Sequence, residues 1–116
     1  MEATRIDHIG IAVESLDGAL PFYRDILGLS LLGTEEVADQ KVRVAMLAVG
    51  ESRIELLEPT SEDSPIAGFL AKRGQGIHHI AYAVDDASAA VEELKEKGVR
   101  MIDESPREGA EGARIA

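Results

Sequence analysis

Apolar residues alternate with polar or small ones over residues 5–13, a period of two that predicts a β-strand. Three branched apolar residues share one face, which is expected to pack against a helix: Ile9, Ile11 and Val13. Two small residues and one imidazole share the other face: His8, Gly10 and Ala12. Because small side chains leave room in front of a sheet, this second face is expected to line a space.

After Ser15 the apolar spacing becomes helical, and Gly28 is expected to end the helix. The predicted apolar stripe of this helix consists of Leu16, Ala19, Leu20, Tyr23, Ile26 and Leu27. Ser15 or Asp17 can act as the N-cap, and Asp17 would leave Pro21 in the first turn, where a missing N–H is tolerated.

Three strands are predicted to follow this helix, over residues 29–37, 42–49 and 53–57. Gly50-Glu51 is expected to form a tight hairpin between the last two strands. Glu55 lies on the opposite face of its strand from the neighbouring apolar residues. Ser64 followed by Pro65 is a strong helix start, and Gly74 is expected to end that short helix.

The second half of the chain repeats the first, because residues 77–86 closely copy residues 6–15 and place His79 where the first copy has His8. A strand, a helix to Lys97 and two further strands are predicted here: residues 77–84, 99–102 and 113–116. Residues 104–112 are expected to form a polar loop. The packed face of the repeated strand is expected to contain His78, Ile80, Tyr82 and Val84.

These elements predict the α+β class, with paired βαβββ modules in one domain. Residues 1–59 would form the first module, residues 60–75 a linker and short helix, and residues 76–116 an incomplete second module. The repeat predicts one more strand beyond residue 116, so the chain is expected to be a shortened form of a longer protein, with a natural short variant as the alternative. A polypeptide that lacks a central strand is expected to be poorly stable or to borrow a strand from a partner.

Composition narrows the kind of partner that the protein can have. The 116 residues carry a formal net charge of −10, which argues against a nucleic-acid partner because phosphate binding depends on Lys and Arg. No apolar run is long enough to span a membrane, and no signal pattern is present, so a cytoplasmic protein is expected. With no cysteine, any metal would be held by imidazole and carboxylate groups.

His8 and His79 occupy equivalent positions in the two copies, each beside small residues. Equivalent side chains of a duplicated strand converge on the pseudo-twofold axis, so both imidazoles are expected to face one cleft. Glu55 is the third candidate ligand, because a carboxylate on a largely apolar strand needs water or a partner. Two imidazoles with hard oxygen ligands suit a divalent ion such as Co2+, Mn2+, Ni2+ or Zn2+.

A plainer interpretation is available for each of these residues. A single strand histidine is more often hydrogen-bonded to backbone than bound to a metal, and Glu55 alone would most often be a solvated strand residue. Because the histidine position is duplicated, the metal-ligand interpretation has about the same support as the structural one. His78, on the apolar face, is expected to be structural.

Several segments together resemble the methylmalonyl-CoA epimerases of the vicinal oxygen chelate superfamily, the group of the glyoxalases and bleomycin resistance proteins. They are DHIGIAV at residues 7–13, the helix end FY to GL at residues 22–29, ELLEP at residues 55–59, SPIA at residues 64–67 and GIHHI at residues 76–80. The resemblance covers essentially the whole chain, and the last two segments indicate the epimerase branch.

The resemblance implies a cup-shaped mixed sheet around one divalent metal held by His8, Glu55 and His79. Co2+ is the first expectation, with Mn2+, Ni2+, Zn2+ or Mg2+ as alternatives. The family's fourth ligand is a glutamate in a C-terminal strand, and this sequence ends before it. A second glutamate base of some family members aligns here with Val44, so the resemblance leaves the catalytic acid–base pair without assigned residues.

The implied reaction is interconversion of the two C2 epimers of methylmalonyl-CoA, as in propionate metabolism, through an enediolate. The acyl-CoA phosphates are expected to find local cations: Lys41, Arg43, Lys72 and Arg73. Pairing of modules through sheet edges implies a homodimer. The alternatives are a glyoxalase I-like metal-dependent lyase and a metal-free small-molecule binding module of the same fold.

Overall fold

A computed structural model describes residues 1–109 and 114–116. Its helices are α1 (Leu16–Leu20), α2 (Pro65–Arg73) and α3 (Ala87–Glu96), with a π-helical turn at Pro21–Ile26 and a 3-10 turn at Ala38–Gln40. Its strands are β1 (Ala3–Ala12), β2 (Ser30–Val37), β3 (Val42–Val49), β4 (Ser52–Pro59), β5 (Gly76–Val84), β6 (Arg107–Glu108) and β7 (Arg114–Ile115). The chain divides into two compact units, Ile6–Ala81 and a second that joins Met1–Arg5 to Tyr82–Ala116.

The first unit is built on a five-stranded mixed sheet of order β2-β3-β4-β1-β5. β2, β3 and β4 are antiparallel neighbours, whereas β1 runs parallel to β4. Together with the helices, this mixed sheet confirms the predicted α+β class. The β1–β4 pairing places Gly10 opposite Glu55, and the β3–β4 pairing places Met46 opposite the same glutamate. Glu55 therefore lies at the centre of the sheet.

One face of this sheet packs against α1. The buried members of that cluster are Val13, Leu16, Leu20, Ala45, Leu47 and Leu56, with Ile11 and Ile54 packed against them. Leu47 and Leu56 are completely inaccessible to solvent. The predicted packing of the apolar face of β1 against a helix is thus confirmed for Ile11 and Val13.

The opposite face of the sheet packs against α2. Its buried cluster contains Ala12, Val42, Val44, Met46, Leu57 and Ile66, with Phe69 and Leu70 of α2 beside it. The prediction that the whole His8–Gly10–Ala12 face lines a space is therefore wrong at its Ala12 end. There the small side chain admits the neighbouring apolar residues, and only the His8 end remains polar.

The helix ends follow the local chemistry of the sequence. Ser15 caps α1 by accepting a hydrogen bond from the Gly18 N–H at 2.8 Å. The prediction of one continuous α-helix is wrong, because Pro21 has no N–H for an α-helical bond and the chain continues as a π-turn. The predicted stripe also fails at its end, where Ile26 is 75% exposed.

The start of α2 is as predicted. The hydroxyl of Ser64 accepts a hydrogen bond from the Ile66 N–H at 3.1 Å, and Pro65 occupies the first turn. Gly74, with a φ of 73°, ends the helix in a conformation that favours glycine. This helix carries Ile66 into the buried cluster beside Val44.

The second half of the chain departs from the prediction in two places. Ile80 and Tyr82 are 45% and 61% exposed, not packed. β5 is an edge strand of the sheet, so it lacks the flanking strands that bury β4. Residues 99–102 do not form a strand, since no described strand pairs with them to satisfy their backbone groups.

The second unit contains α3 and a short hairpin. Asp86 caps α3 by accepting a hydrogen bond from the Ala89 N–H at 3.1 Å, and Ala90 and Val91 are buried. β6 pairs antiparallel with β7 in a segment predicted as a loop followed by a strand. Residues 110–112 of that predicted loop and residue 113 of the predicted strand lie outside the described residues. Across the described part of the chain, no helix has both the length and the apolar character that crossing a membrane requires.

Candidate metal centre

Glu55 is a buried carboxylate at the centre of the sheet, with a relative exposure of 5%. A buried carboxylate is costly unless charged or hydrogen-bonding groups surround it. Its Oε2 atom lies 3.3 Å from Nδ1 of His8 and 3.3 Å from Nη2 of Arg53. The prediction that Glu55 needs a partner on this face is therefore satisfied by an imidazole and a guanidinium group.

Asp7 joins this group, although the period-two pattern directs it to the other face of β1. Its Oδ2 atom lies 2.8 Å from Nδ1 of His8 and 3.0 Å from Nη2 of Arg53. Burial acts to raise the pKa of Asp7, but hydrogen bonds from His8 and Arg53 outweigh it, so the pKa is lowered. Asp7 is thus held ionised beside the imidazole.

Two members of this group were missed by the sequence reasoning. Arg53 lies two residues before Glu55 on the same strand, so its side chain shares the face of Glu55, and that spacing was the available signal. For Asp7 the only signal in the sequence is its position next to His8, because strand periodicity places the two side chains on opposite faces of the strand.

His79 meets His8 directly. The Nε2 atoms of the two imidazoles lie 3.0 Å apart, with the rings edge to face. Gly10 permits this approach, since a Cβ atom there would lie 2.3 Å from Cε1 of His79. The structure therefore brings together the two histidines that the duplication relates. Their contact lies over position 10, where there is no room for a side chain larger than that of glycine.

His78 also contacts this centre. Its Nδ1 lies 2.9 Å from Nδ1 of His79, and its ring packs edge to face on Phe69 with centroids 5.0 Å apart. Burial lowers the pKa of His78. Burial also lowers the pKa of His79, to about 4, with smaller contributions from His8 and His78. His79 is therefore neutral at pH 7, the form in which imidazole binds metals.

The donor set fits a divalent ion between the two histidines. Each nitrogen ligand of such an ion lies about 2.1 Å from it, so both Nε2 atoms, 3.0 Å apart, are close enough to reach one ion. Glu55 approaches His8 from the Nδ1 side, not the Nε2 side. The described acidic and imidazole groups with ligand atoms within 4.8 Å of one another are Asp7, His8 and Glu55. This observed cluster contains two of the three predicted ligands, His8 and Glu55, and has Asp7 in place of His79.

The cations predicted to bind CoA lie outside this centre. Lys41 is ion-paired with Asp63, and Nη1 of Arg43 lies 3.5 Å from Oε2 of Glu58. Lys72 and Arg73 are exposed in the last turn of α2. Val44 is 2% exposed within the apolar cluster, so this position supplies no proton-transfer group.

An open cavity of about 460 Å³ lies on the other face of the sheet, beside α1. Its wall includes Ile11, Val13, Phe22 and Tyr23 as well as the polar side chains of Ser15 and Gln75. Among the described residues, none of the predicted ligands lines it. The polar group around His8 and this cavity are therefore on opposite faces of the sheet.

Residues 7–116 match the Glyoxalase/Bleomycin resistance protein/Dioxygenase superfamily. The chain is 47% identical over 112 residues to YqjC of Bacillus subtilis, an uncharacterized protein, covering 97% of this chain and 80% of YqjC. It is 43% identical to the ethylmalonyl-CoA/methylmalonyl-CoA epimerase of Cereibacter sphaeroides, covering 93% of this chain and 82% of that enzyme. It is 41% identical to the human mitochondrial methylmalonyl-CoA epimerase, covering 93% of this chain but only 62% of that protein's length.

Solved structures show the same likeness. The methylmalonyl-CoA epimerase of Streptomyces coelicolor, in a variant complexed with 2-nitronate-propionyl-CoA, has a TM-score of 0.93 at 44% identity, covering 97% of this chain and 83% of that one. A methylmalonyl-CoA epimerase in complex with methylmalonyl-CoA and NH4+ has a TM-score of 0.92 at 44% identity, with the same coverage. Both share the fold described above.

Proposed function

The chain belongs to the glyoxalase/bleomycin resistance protein/dioxygenase superfamily and, within it, to the methylmalonyl-CoA epimerases, and from this premise we propose that it interconverts the C2 epimers of methylmalonyl-CoA. The observation that carries the proposal is the pair of Nε2 atoms of His8 and His79, 3.0 Å apart beside the buried Glu55. A divalent ion at this pair is part of the proposal, with Co2+ first and Mn2+, Ni2+, Zn2+ or Mg2+ as alternatives.

His8 and His79 would hold the ion through Nε2, with Glu55 as the third ligand. When bound, the ion supplies a Lewis acid for the carbonyl oxygens that flank C2. Removal of the C2 proton leaves an enediolate, and its return on the opposite face inverts the centre. In the described structure Glu55 is paired with Arg53 and His8, so reaching an ion would require its carboxylate to turn from these partners.

The apolar cluster beside the histidines gives the site a second function, which is to exclude water. Val44, Met46 and Leu57 are buried on the same sheet face as Glu55. An apolar surface that excludes water lowers the local dielectric constant and so strengthens the electrostatic interactions that stabilise a developing enediolate. Val44 cannot exchange a proton, so the proton donor and acceptor of the proposed reaction must come from other groups.

The proposed contacts for the CoA phosphates are the same four basic residues: Lys41, Arg43, Lys72 and Arg73. Lys72 and Arg73 are exposed at one helix end, where cations are also favoured by the helix dipole. Lys41 and Arg43 would have to exchange a carboxylate partner for phosphate. A homodimer in the cytoplasm stays the prediction for assembly and location.

The test is conversion of one pure epimer of methylmalonyl-CoA by protein first stripped of metal and then loaded with Co2+. Metal-loaded protein should yield both epimers, and His8→Ala and His79→Ala should lose both the bound metal and the conversion. Thr34→Ala, at an exposed position of β2, is the matched control and should retain both.

Two results would reject the proposal in favour of its alternatives. Turnover of a glutathione hemithioacetal without epimerisation would indicate the glyoxalase I-like lyase. Ligand binding that survives in both histidine variants, with no metal in the wild-type protein, would indicate a metal-free binding module.

A further inference from the structure

Arg53 joins the two carboxylates of the metal centre through a single nitrogen atom. Its Nη2 atom lies 3.0 Å from Oδ2 of Asp7 and 3.3 Å from Oε2 of Glu55. Nη2 carries two N–H groups, so this one atom can donate to both oxygens. A guanidinium group stays charged throughout the physiological pH range. Arg53 is therefore a permanent cation beside the proposed ligand Glu55.

Burial makes a charged partner important for Glu55. The side chain of Glu55 is 6% exposed and that of Arg53 is 23% exposed. An ionised carboxylate that loses its partner in such surroundings is strongly destabilised. The side chain of Asp7 has more access to water, with 27% of its surface exposed. Of the two carboxylates, Glu55 therefore depends more strongly on its partners.

The strand register gives the Glu55 carboxylate a second direction in which it can point. Glu55 pairs with Gly10 of β1, whereas Arg53 pairs with His8. Position 10 has no side chain, and the imidazole of His79 lies over it, since a Cβ atom there would be 2.3 Å from Cε1 of His79. A rotation of the Glu55 side chain away from Arg53 can thus carry its carboxylate toward His79, with no side chain at position 10 in the way.

The two directions exclude each other. Oε2 of Glu55 lies 3.3 Å from Nδ1 of His8, whereas the other ring nitrogen, Nε2, meets Nε2 of His79 at 3.0 Å. An ion held by the two Nε2 atoms cannot be ligated by an oxygen that stays on the Nδ1 side of His8. Glu55 can therefore contact Arg53 as it does here or serve as the third ligand, but its Oε2 atom cannot do both.

We propose that Arg53 is a positioning residue that competes with the metal ion for Glu55 and thereby sets the metal affinity of the site. In the metal-free protein the guanidinium group holds the Glu55 carboxylate on the Nδ1 side of His8. When Glu55 turns toward the ion, Arg53 keeps its contact with Asp7, so its charge stays paired. This inference rests on the metal site of the proposed function, but not on the reaction proposed there.

The test is Co2+ binding by metal-stripped protein, measured by competition with a chelating indicator dye. Arg53→Met removes the charge, so Glu55 no longer exchanges a guanidinium group for the ion. Co2+ affinity should rise about 10-fold, the factor that corresponds to one hydrogen bond to a charged group. The same substitution should lower the urea midpoint of the metal-free protein, because Glu55 loses a partner. Loss of a residue that only maintained the shape of the site would lower both quantities, so an unchanged or lower Co2+ affinity would overturn the proposal.

Glu55→Gln separates this competition from general electrostatics. Removal of any nearby cation favours binding of a divalent ion, whether or not Glu55 is involved. Glutamine at position 55 has no charge for which Arg53 and the ion can compete. In a Glu55→Gln background, Arg53→Met should therefore raise Co2+ affinity by at most about 3-fold, since the two substitutions act on one interaction. The full rise in this background as well would contradict competition for Glu55.

Two further variants complete the experiment. Arg53→Gln keeps an amide donor for the buried carboxylates and is the variant to use if Arg53→Met does not fold; its Co2+ affinity should also rise. Arg24→Met removes an exposed arginine whose Nε atom lies 2.9 Å from Oδ1 of Asp25, and this matched control should change neither Co2+ affinity nor the urea midpoint. Absence of Co2+ binding in the wild type and in both Arg53 variants would overturn the inference. Lack of epimerisation by proteins that bind Co2+ as expected would instead reject only the proposed function.

Discussion

Gly10 is a position where one added methyl group should displace a proposed metal ligand, His79. In Gly10→Ala the added Cβ would lie 2.3 Å from Cε1, 2.6 Å from Nδ1 and 2.8 Å from Nε2 of His79. The nearest contact is more than 1 Å closer than the 3.4 Å at which ordinary van der Waals contact begins. Gly10 lies within the paired part of β1, opposite Glu55 of β4, so the imidazole must move rather than the backbone.

A displacement of about 1 Å is several times the ±0.2 Å tolerance on ligand distances in metal sites. The two Nε2 atoms could then no longer share one ion at their present separation of 3.0 Å. We expect divalent affinity to fall at least as far as for loss of a group that orients a ligand, about 10- to 100-fold. Folding stability should change by less than about 1 kcal/mol, because alanine loses less backbone entropy than glycine on folding and so offsets part of the strain.

The assay is competition for Co2+ between stripped protein and a chelating indicator dye, with urea unfolding of the same samples. Gly76→Ala is the matched control, since it adds a methyl group to a glycine of β5 where no atom lies within 4 Å. The control should bind Co2+ as the wild type does. Wild-type Co2+ affinity in Gly10→Ala would refute the placement of His79 over Gly10.

Three further predictions concern stability and pH. Leu56→Ala should lower the free energy of unfolding in urea by about 3 kcal/mol because Leu56 is completely buried. Leu32→Ala, at a 56% exposed position, should lower it little. Equal costs would contradict the packing of the sheet face that contains Leu56. Ser64→Ala should cost about 1 kcal/mol by removing the cap on the Ile66 N–H, and an unchanged urea midpoint would count against that cap. The pKa of His79 is lowered from 6.5 to about 4, so unfolded chains take up a proton first as pH falls. Metal-free protein should keep its full stability above pH 6.5 and lose about 2 kcal/mol toward pH 4, allowing for partial exposure of the ring; in His79→Gln that part of the loss should vanish.

The sequence predicted the parts of the fold that depend on local pattern. The alternation in β1 and β4, the Gly50 hairpin and the Ser64-Pro65 helix start each rest on periodicity or on a backbone preference within a few residues. Duplication of the first strand also indicated that His8 and His79 belong to one site. Their separation of 3.0 Å agrees with that reasoning.

What the sequence could not supply depended on contacts between strands. Asp7 reaches the Nδ1 side of His8 although strand periodicity places it on the opposite face. The exposure of Tyr82 follows from the position of β5 at the sheet edge, which alternation alone does not reveal. Pro21 shows the same limit for helices, since the apolar stripe continues past it while the α-helical bonding does not.

X-ray absorption spectroscopy of Co2+-loaded protein tests the two-histidine metal site itself, because it counts imidazole ligands around the ion without reference to any reaction. We expect one ion per chain with two imidazole ligands in the wild type and in Thr34→Ala, and no bound ion in His8→Ala or His79→Ala. A wild-type ion coordinated only by oxygen, or one that keeps both imidazoles in His79→Ala, would contradict it.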